Sequence, residues 1–204
     1  MTLWAIVPVK PLHAGKSRLA KILSDEQRLS LNKRLLLHTL QTLGETREIN
    51  HVLVISHDPA VLSIARQHCA YPVQETGRYH LNHALMQATA FATENGCHRI
   101  LVIPADIPLF TSIEVNQLIS KSIDPPVVVI SPDRRREGTN ALLISPPRLI
   151  QYTFGYHSFR KHCENARRAG ARLEILELPN IAVDIDLPED FDLVYHQLQT
   201  LPDS

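Results

Sequence analysis

Short runs of β-branched and aliphatic residues alternate along this chain with longer stretches of helical periodicity, and that alternation confines the fold to the α/β class. Leu3–Val9 reads as a first strand, closed by Pro8-Val9-Lys10-Pro11. Ser24-Asp25-Glu26-Gln27 has capping-box spacing, and Leu29, Leu31, Leu35, Leu36, Leu40 and Leu43 continue it as one apolar helical stripe, with Gly44 as the expected stop. His51–Ser56 is a second strand, and Asp58-Pro59 opens a helix with an acid at its cap and proline at its first position. Further helices are expected over Ala84–Glu94, Ser112–Lys121, Phe159–Ala169 and Glu189–Leu198. Further strands are expected over Ile100–Ile103, Val127–Ser131, Ala141–Ser145 and Leu173–Leu178. This order predicts one domain over residues 1–204, a three-layer α/β sandwich on a mainly parallel sheet.

Charge and cysteine usage narrow the partners. The formal net charge is zero, so no broad basic surface argues for nucleic acid or an anionic membrane, and neither is expected as a partner. Cys69, Cys97 and Cys163 are odd in number, widely spaced and free of any CxxC pair, as expected of reduced thiols in a cytoplasmic protein. Leu3–Val9 is too short to span a membrane and lacks a basic leader, so it is a strand and not a signal.

Four places in the sequence are able to carry chemistry. Ile100–Ile103 is a short apolar run that Pro104 stops, which puts Asp106 just past the carboxyl end of a strand, where open α/β sheets bind ligands. An acid there suits a Mg2+ ion bridging phosphate oxygens, or simply caps the following helix. The loop after the first strand brings Lys10, Lys16 and Arg18 to the place where α/β folds commonly cradle a triphosphate. Gly15-Lys16-Ser17 is not a P-loop, because Lys10 stands where that motif needs its first glycine. In Asp184-Ile185-Asp186, alternation puts both acids on one side of an extended segment, within reach of one cation, while Asp186 or Leu187 is also the natural cap of the last helix. Finally, Gly138-Thr139-Asn140 offers close backbone approach with neutral donors, and Gly155 and Ser158 precede a helix whose free N–H groups favour an anion. The neighbouring run Arg134-Arg135-Arg136 reads as a solvated loop.

Taken in order, these segments resemble a known family. Val7-Pro8-Val9-Lys10 with Lys16-Ser17-Arg18-Leu19, Leu81-Asn82, Pro104-Ala105-Asp106-Ile107-Pro108, Ser131-Pro132-Asp133 with Gly138-Thr139-Asn140-Ala141, Phe154-Gly155 with Ser158-Phe159, and Asp184-Ile185-Asp186 with Pro188-Glu189-Asp190 resemble the CofC/FbiD-type guanylyltransferases of coenzyme F-420 biosynthesis. The resemblance implies a GT-A-like nucleotidyltransferase fold and transfer of GMP from GTP to a three-carbon phosphate. Phosphoenolpyruvate or 2-phospho-L-lactate is the implied acceptor, 3-phospho-D-glycerate a further one, and a homodimer is plausible by family. By matching position, Thr139, Gly155 and Ser158 are implied to contact the acceptor, and Asn82 is assigned to the nucleotide. The chain departs from the family at Tyr156-His157, where smaller residues are expected, and at His80, where glycine is usual. The alternatives are a molybdopterin or sugar-phosphate nucleotidyltransferase, a non-catalytic nucleotide-binding regulator of the same fold, and a P-loop kinase or hydrolase.

The implied chemistry explains which motifs are missing. A phosphate monoester with a second pKa of about 6 is already a nucleophile at neutral pH and needs no general base. The eleven histidines accordingly need no metal-ligand spacing, and none with HExxH spacing is found. What such a reaction needs is charge neutralisation, expected from Mg2+ on Asp106, Asp184 and Asp186, and stabilisation of departing pyrophosphate, expected from Lys10, Lys16 and Arg18.

Overall fold

Strands that are apolar on both faces need cover on both sides, and the arrangement of elements follows from that requirement. The computed structural model describes residues 1–198. In chain order they form β1 (Leu3–Pro8), α1 (Asp25–Glu45), β2 (His51–Ser56), α2 (Pro59–Gln67), β3 (Tyr71–Gln74), α3 (Leu81–Glu94) and β4 (Arg99–Val102). Then follow α4 (Ser112–Ser120), β5 (Val127–Pro132), β6 (Thr139–Ser145), α5 (Ser158–Arg168), β7 (Arg172–Ile175) and α6 (Pro188–Leu198), with a 3-10 turn at Ser17–Lys21. In β1, Leu3, Ala5 and Val7 enter one core while Trp4 and Ile6 enter the other. Residues of α1, α2 and α4 fill the first core and residues of α3 and α5 the second, which makes the three layers expected from the sequence.

The sheet order is β3-β2-β1-β4-β6-β5-β7. All neighbours are parallel except β6, which runs antiparallel to both β4 and β5. That reversal matters for the site. Val102 pairs with Leu142, so the start of β6, at Thr139 and Asn140, lies beside the carboxyl end of β4. A strand running the wrong way thus brings its first residues to the edge where the parallel strands deliver their last.

A third, smaller core ties the carboxyl-terminal segment to the front of the molecule. Leu19 of the 3-10 turn, Leu31 and Leu35 of α1, and Val194 and Leu198 of α6 pack around Ile185.

Several elements differ from the sequence expectation. Both cap predictions hold, with a complete capping box at Ser24 and Gln27 and an Asp58 cap followed by Pro59. α1, however, runs through Gly44 to Glu45, because Leu43 beside it is fully buried and packing outweighs the helix cost of glycine. Leu29 is exposed and does not belong to the buried stripe. β3 was not expected: Pro72 argues against a strand, yet an edge position that pairs on one side with β2 tolerates it. β7 ends at Ile175, and Leu178 is buried beyond it in the core.

Candidate active site

The loop after β1 is held by its neighbours before any ligand enters. The Leu12 N–H donates to Asp58 Oδ2 at 3.0 Å, and Asn32 Nδ2 donates to the Leu12 carbonyl at 2.7 Å. Gly15 runs so close to Asn32 that an added Cβ would lie 2.6 Å from Nδ2, so no larger residue fits without displacement. Lys16 then adopts a left-handed backbone, φ 57°, which costs a non-glycine residue about 1 kcal/mol. The result is an ammonium aimed inward: Lys16 Nζ lies 3.2 Å from Asp106 Oδ2 and 3.9 Å from Asp186 Oδ1, and donates to the Ile185 carbonyl. Arg18 stays largely exposed, 3.8 Å from Asp186 Oδ2. Lys10 lies over the Tyr79 ring, 5.8 Å from its centroid.

The carboxylates converge on Lys16 from two sides. Asp106 follows Pro104 at the end of β4, and its carbonyl accepts the Ile185 N–H at 3.1 Å. Ile185 is fully buried in the third core, so alternation turns Asp184 and Asp186 the other way, toward the cleft. Asp184 accepts from Asn140 Nδ2 at 3.2 Å. Burial first, and then the nearby Asp106 charge, push its carboxyl up to about 6. This is a set of hard oxygen donors whose mutual repulsion a divalent cation would relieve, and Asp106, Asp184 and Asp186 fit Mg2+ on that ground. Among the described residues, no three His, Cys, Asp or Glu are gathered closely enough to hold a metal by themselves. Substrate oxygens are then needed to complete any such site, which is usual for Mg2+.

The acid that sequence reasoning passed over is Asp190. It is 2% exposed, and its Oδ2 accepts the backbone N–H groups of Asp186 and Leu187 at 3.2 and 2.8 Å. Its Oδ1 accepts from Arg134 at 2.5 Å and Arg135 at 3.3 Å. Leu187 thus holds the cap position directly before Pro188, as expected, while Asp190, inside the first turn of α6, supplies the side chain that reaches back to its N–H. The arginine run is no merely solvated loop: two of its members fasten the β5–β6 connection to the acidic segment.

Across the cleft lies a neutral, tightly bonded cluster, with Asp133, Arg135 and Glu137 lining the cleft beside it. Thr139, at the start of β6, is 5% exposed and its Oγ1 lies 3.0 Å from Nδ1 of His162. Ser158 Oγ donates to the same Thr139 oxygen at 3.3 Å. His162 is fully buried, and its Nε2 accepts the Thr153 N–H at 3.0 Å. Burial lowers its pKa to about 4, so the ring is neutral near pH 7. Gly155 has φ +114°, a conformation that side chains rarely adopt, and the Ser158 N–H folds back onto its carbonyl at 3.0 Å. Tyr156 and His157, the bulky pair, meet at a tilt of 48° with ring centroids 3.7 Å apart, and Tyr156 is exposed at the rim.

Asn82 is placed differently from its expected role. Its Oδ1 accepts the Phe154 N–H at 2.8 Å and its Nδ2 donates to the Phe154 carbonyl at 3.2 Å. Both ends of the amide are thus spent on the chain leading to Gly155, and Asn82 does not line the cleft. Nor does it cap α3, whose cap residue is His80. The other nine sequence-derived candidates, Lys10, Lys16, Arg18, Asp106, Thr139, Gly155, Ser158, Asp184 and Asp186, all line one cleft of about 590 Å3. That volume suits a nucleotide-sized ligand. His162 escaped notice because it lies in a strongly charged helix, although its spacing with Phe159, Cys163 and Ala166 marks the buried face.

A cleft with converging cations and carboxylates on one wall and a cluster of neutral hydroxyls across from them, at the carboxyl edge of a mainly parallel sheet, is suited to polyphosphate chemistry. The fold has relatives among solved structures. A nucleotidyl transferase from Methanothermobacter thermautotrophicus superposes with a TM-score of 0.70 at 14% identity, covering 97% of this chain and 98% of its own. A 4-diphosphocytidyl-2C-methyl-D-erythritol synthase superposes with a TM-score of 0.67 at 13% identity, covering 97% and 99%. Sequence similarity is more specific. A phosphoenolpyruvate guanylyltransferase of Rubrobacter xylanophilus is 40% identical over 190 residues, 93% of this chain and 92% of that protein. A 2-phospho-L-lactate guanylyltransferase of Methanocaldococcus fervens is 32% identical over 190 residues, 93% of this chain and 83% of that protein. The family described as "Guanylyl transferase CofC like" matches residues 3–200, and the chain belongs to that family of nucleotidyltransferases.

Proposed function

We propose that this protein transfers GMP from GTP to phosphoenolpyruvate, or to 2-phospho-L-lactate, releasing pyrophosphate in coenzyme F-420 biosynthesis. The single observation that carries the reading is the division of one cleft into a charged wall at Lys16, Asp106 and Asp186 and a neutral, hydrogen-bonded wall at Thr139 and Ser158. Similarity to guanylyltransferases of both acceptor types supports it.

In this reading a phosphate oxygen of the acceptor attacks the α-phosphorus of GTP, forming one P–O bond as the bond to the bridging oxygen of pyrophosphate breaks. The acceptor phosphate is already anionic at neutral pH, so no side chain has to remove a proton. The buried imidazole of His162, beside the proposed acceptor wall, is occupied at both nitrogens. Mg2+ bound at Asp106, Asp184 and Asp186 would neutralise the charge that builds between two polyanions. Lys10 and Arg18, which both line the cleft, would meet the β- and γ-phosphates. Lys16 bridges Asp106 and Asp186 in the free protein and would turn to the phosphates of a bound nucleotide. Thr139 and the backbone at Gly155 take the acceptor, with Ser158 beside them donating to Thr139. Asn82 serves the reaction from behind this wall, by fixing Phe154.

The test is pyrophosphate release with GTP, Mg2+ and each of phosphoenolpyruvate, 2-phospho-L-lactate and 3-phospho-D-glycerate, with ATP and CTP as controls. Release that requires GTP together with phosphoenolpyruvate or 2-phospho-L-lactate is the expected result. Inorganic phosphate in place of pyrophosphate, or silence with all acceptors from folded protein that binds GTP, contradicts the reading.

A further inference from the structure

The neutral wall has a direction built into it. The Thr153 backbone N–H can only donate, so His162 Nε2, 3.0 Å away, is an acceptor and carries no proton. In a neutral imidazole the proton then resides on Nδ1, and Nδ1 donates to Thr139 Oγ1 at 3.0 Å. Ser158 Oγ donates to that same oxygen at 3.3 Å. With both lone pairs of Oγ1 engaged, the Thr139 hydroxyl proton is left over, and the cleft is the open side that Thr139 lines. Each bond in the chain polarises the next, so this hydroxyl is a stronger donor than an isolated threonine.

We propose that His162 is a positioning residue for acceptor selection, which fixes Thr139 as a hydrogen-bond donor and so tunes the subsite to an anionic oxygen of the acceptor. This rests on the acceptor placement proposed above. His162 touches no substrate; it acts through Thr139 while anchoring Thr153, the residue before Phe154. The ring is fully buried and T-shaped against Phe154 with centroids 4.8 Å apart, so it has no freedom to reverse its polarity by turning over. A buried ring with both nitrogens committed holds one tautomer as firmly as the backbone N–H that dictates it.

Two substitutions separate the halves of the ring. Asparagine in place of His162 sets an amide N–H near the Nδ1 position and keeps the donation to Thr139. Glutamine sets a carbonyl near the Nε2 position and keeps only the contact with Thr153. With phosphoenolpyruvate as acceptor, His162→Gln is expected to raise the acceptor KM about tenfold, the equivalent of one hydrogen bond to a charged group, with the GTP KM unchanged. His162→Asn is expected to leave both KM values close to those of the unaltered protein, although both variants lose thermal stability. Thr139→Val serves as the reference and raises the acceptor KM at least as much as His162→Gln. Equal acceptor KM for the asparagine and glutamine variants overturns the proposal and leaves His162 a packing residue. No effect from Thr139→Val overturns the acceptor placement itself, and this proposal with it. The unaltered protein gives a second reading that needs no variant: nitrogen NMR near neutral pH is expected to show the His162 proton on Nδ1, and a proton on Nε2 overturns the proposal.

Discussion

The two walls of the cleft are built on opposite principles. On the β1–β4 side, charge is assembled but not fully satisfied: Lys16 sits among Asp106, Asp186 and the Ile185 carbonyl, while Arg18 reaches out from an exposed position. On the β6–α5 side a cluster running from the Thr153 N–H through His162 to Thr139 and Ser158 is neutral, buried and already bonded within itself, with the charged Asp133, Arg135 and Glu137 beside it at the cleft. A wall of the first kind reorganises when a polyanion and a cation arrive, because the ligand completes its charge balance. A wall of the second kind changes little on binding, since its donors are oriented beforehand. The difference matches the substrates proposed for each: a large, flexible triphosphate on one side, and on the other a small acid that must be told apart from close relatives.

The sharpest way to break this comparison is to remove charge from the first wall. Asp106→Asn is expected to lower turnover on the order of 100-fold or more with the fold intact, as loss of an electrostatic stabiliser does. Near-normal turnover in the release assay contradicts the placement of the metal. Lys16→Ala follows, with a rise of about tenfold or more in the KM for GTP and a smaller change for the acceptor. An effect confined to the acceptor reverses the assignment of the walls. Asp190→Asn tests what holds the acids in place. Losing the charge that receives two arginines and two backbone N–H groups is expected to cost about 2 kcal/mol in urea unfolding. A change too small to resolve would show that the acidic segment stands without this anchor.

The second wall makes a prediction about pH. His162 has its pKa lowered by burial from 6.5 to about 4, so the folded protein binds its proton less readily than the unfolded chain. The stability tied to the neutral ring is full above pH 6.5 and is lost as pH falls toward 4. From about pH 7.5 to about pH 5.5 the loss amounts to about 1 kcal/mol. Replacing His162 by asparagine removes that part of the slope, and unfolding curves of both proteins across this range check it.

Much of this was readable from the chain, for physical reasons that differ by element. Ser24, Gln27, Asp58 and Pro59 announce helix starts because capping is a local interaction between near neighbours. Asp106 announces itself because a proline-stopped apolar run fixes where a strand ends. The acids at 184 and 186 follow from alternation about a buried Ile185. What stayed hidden depends on partners distant in sequence. Asn82 and Phe154 are 72 positions apart, so nothing near Asn82 indicates that its amide is spent on a backbone and not on a nucleotide. Arg134 and Asp190 are 56 apart, and an arginine run in a loop reads as solvated until the acid it meets is known. β3 was masked by Pro72, whose missing N–H matters only when a strand is paired on both sides.

Asn82 stands at the boundary of the two accounts, sequence and structure, and so gives the most direct test of the divided cleft. The measurement is the KM of Asn82→Ala for GTP and for phosphoenolpyruvate in the same release assay. With its amide removed, Phe154 loses both backbone bonds and the path to Gly155 and Ser158 loosens. The acceptor KM is expected to rise about tenfold while the KM for GTP holds. A rise in the GTP KM with the acceptor KM unchanged would return Asn82 to the nucleotide and contradict the division of the cleft into two walls.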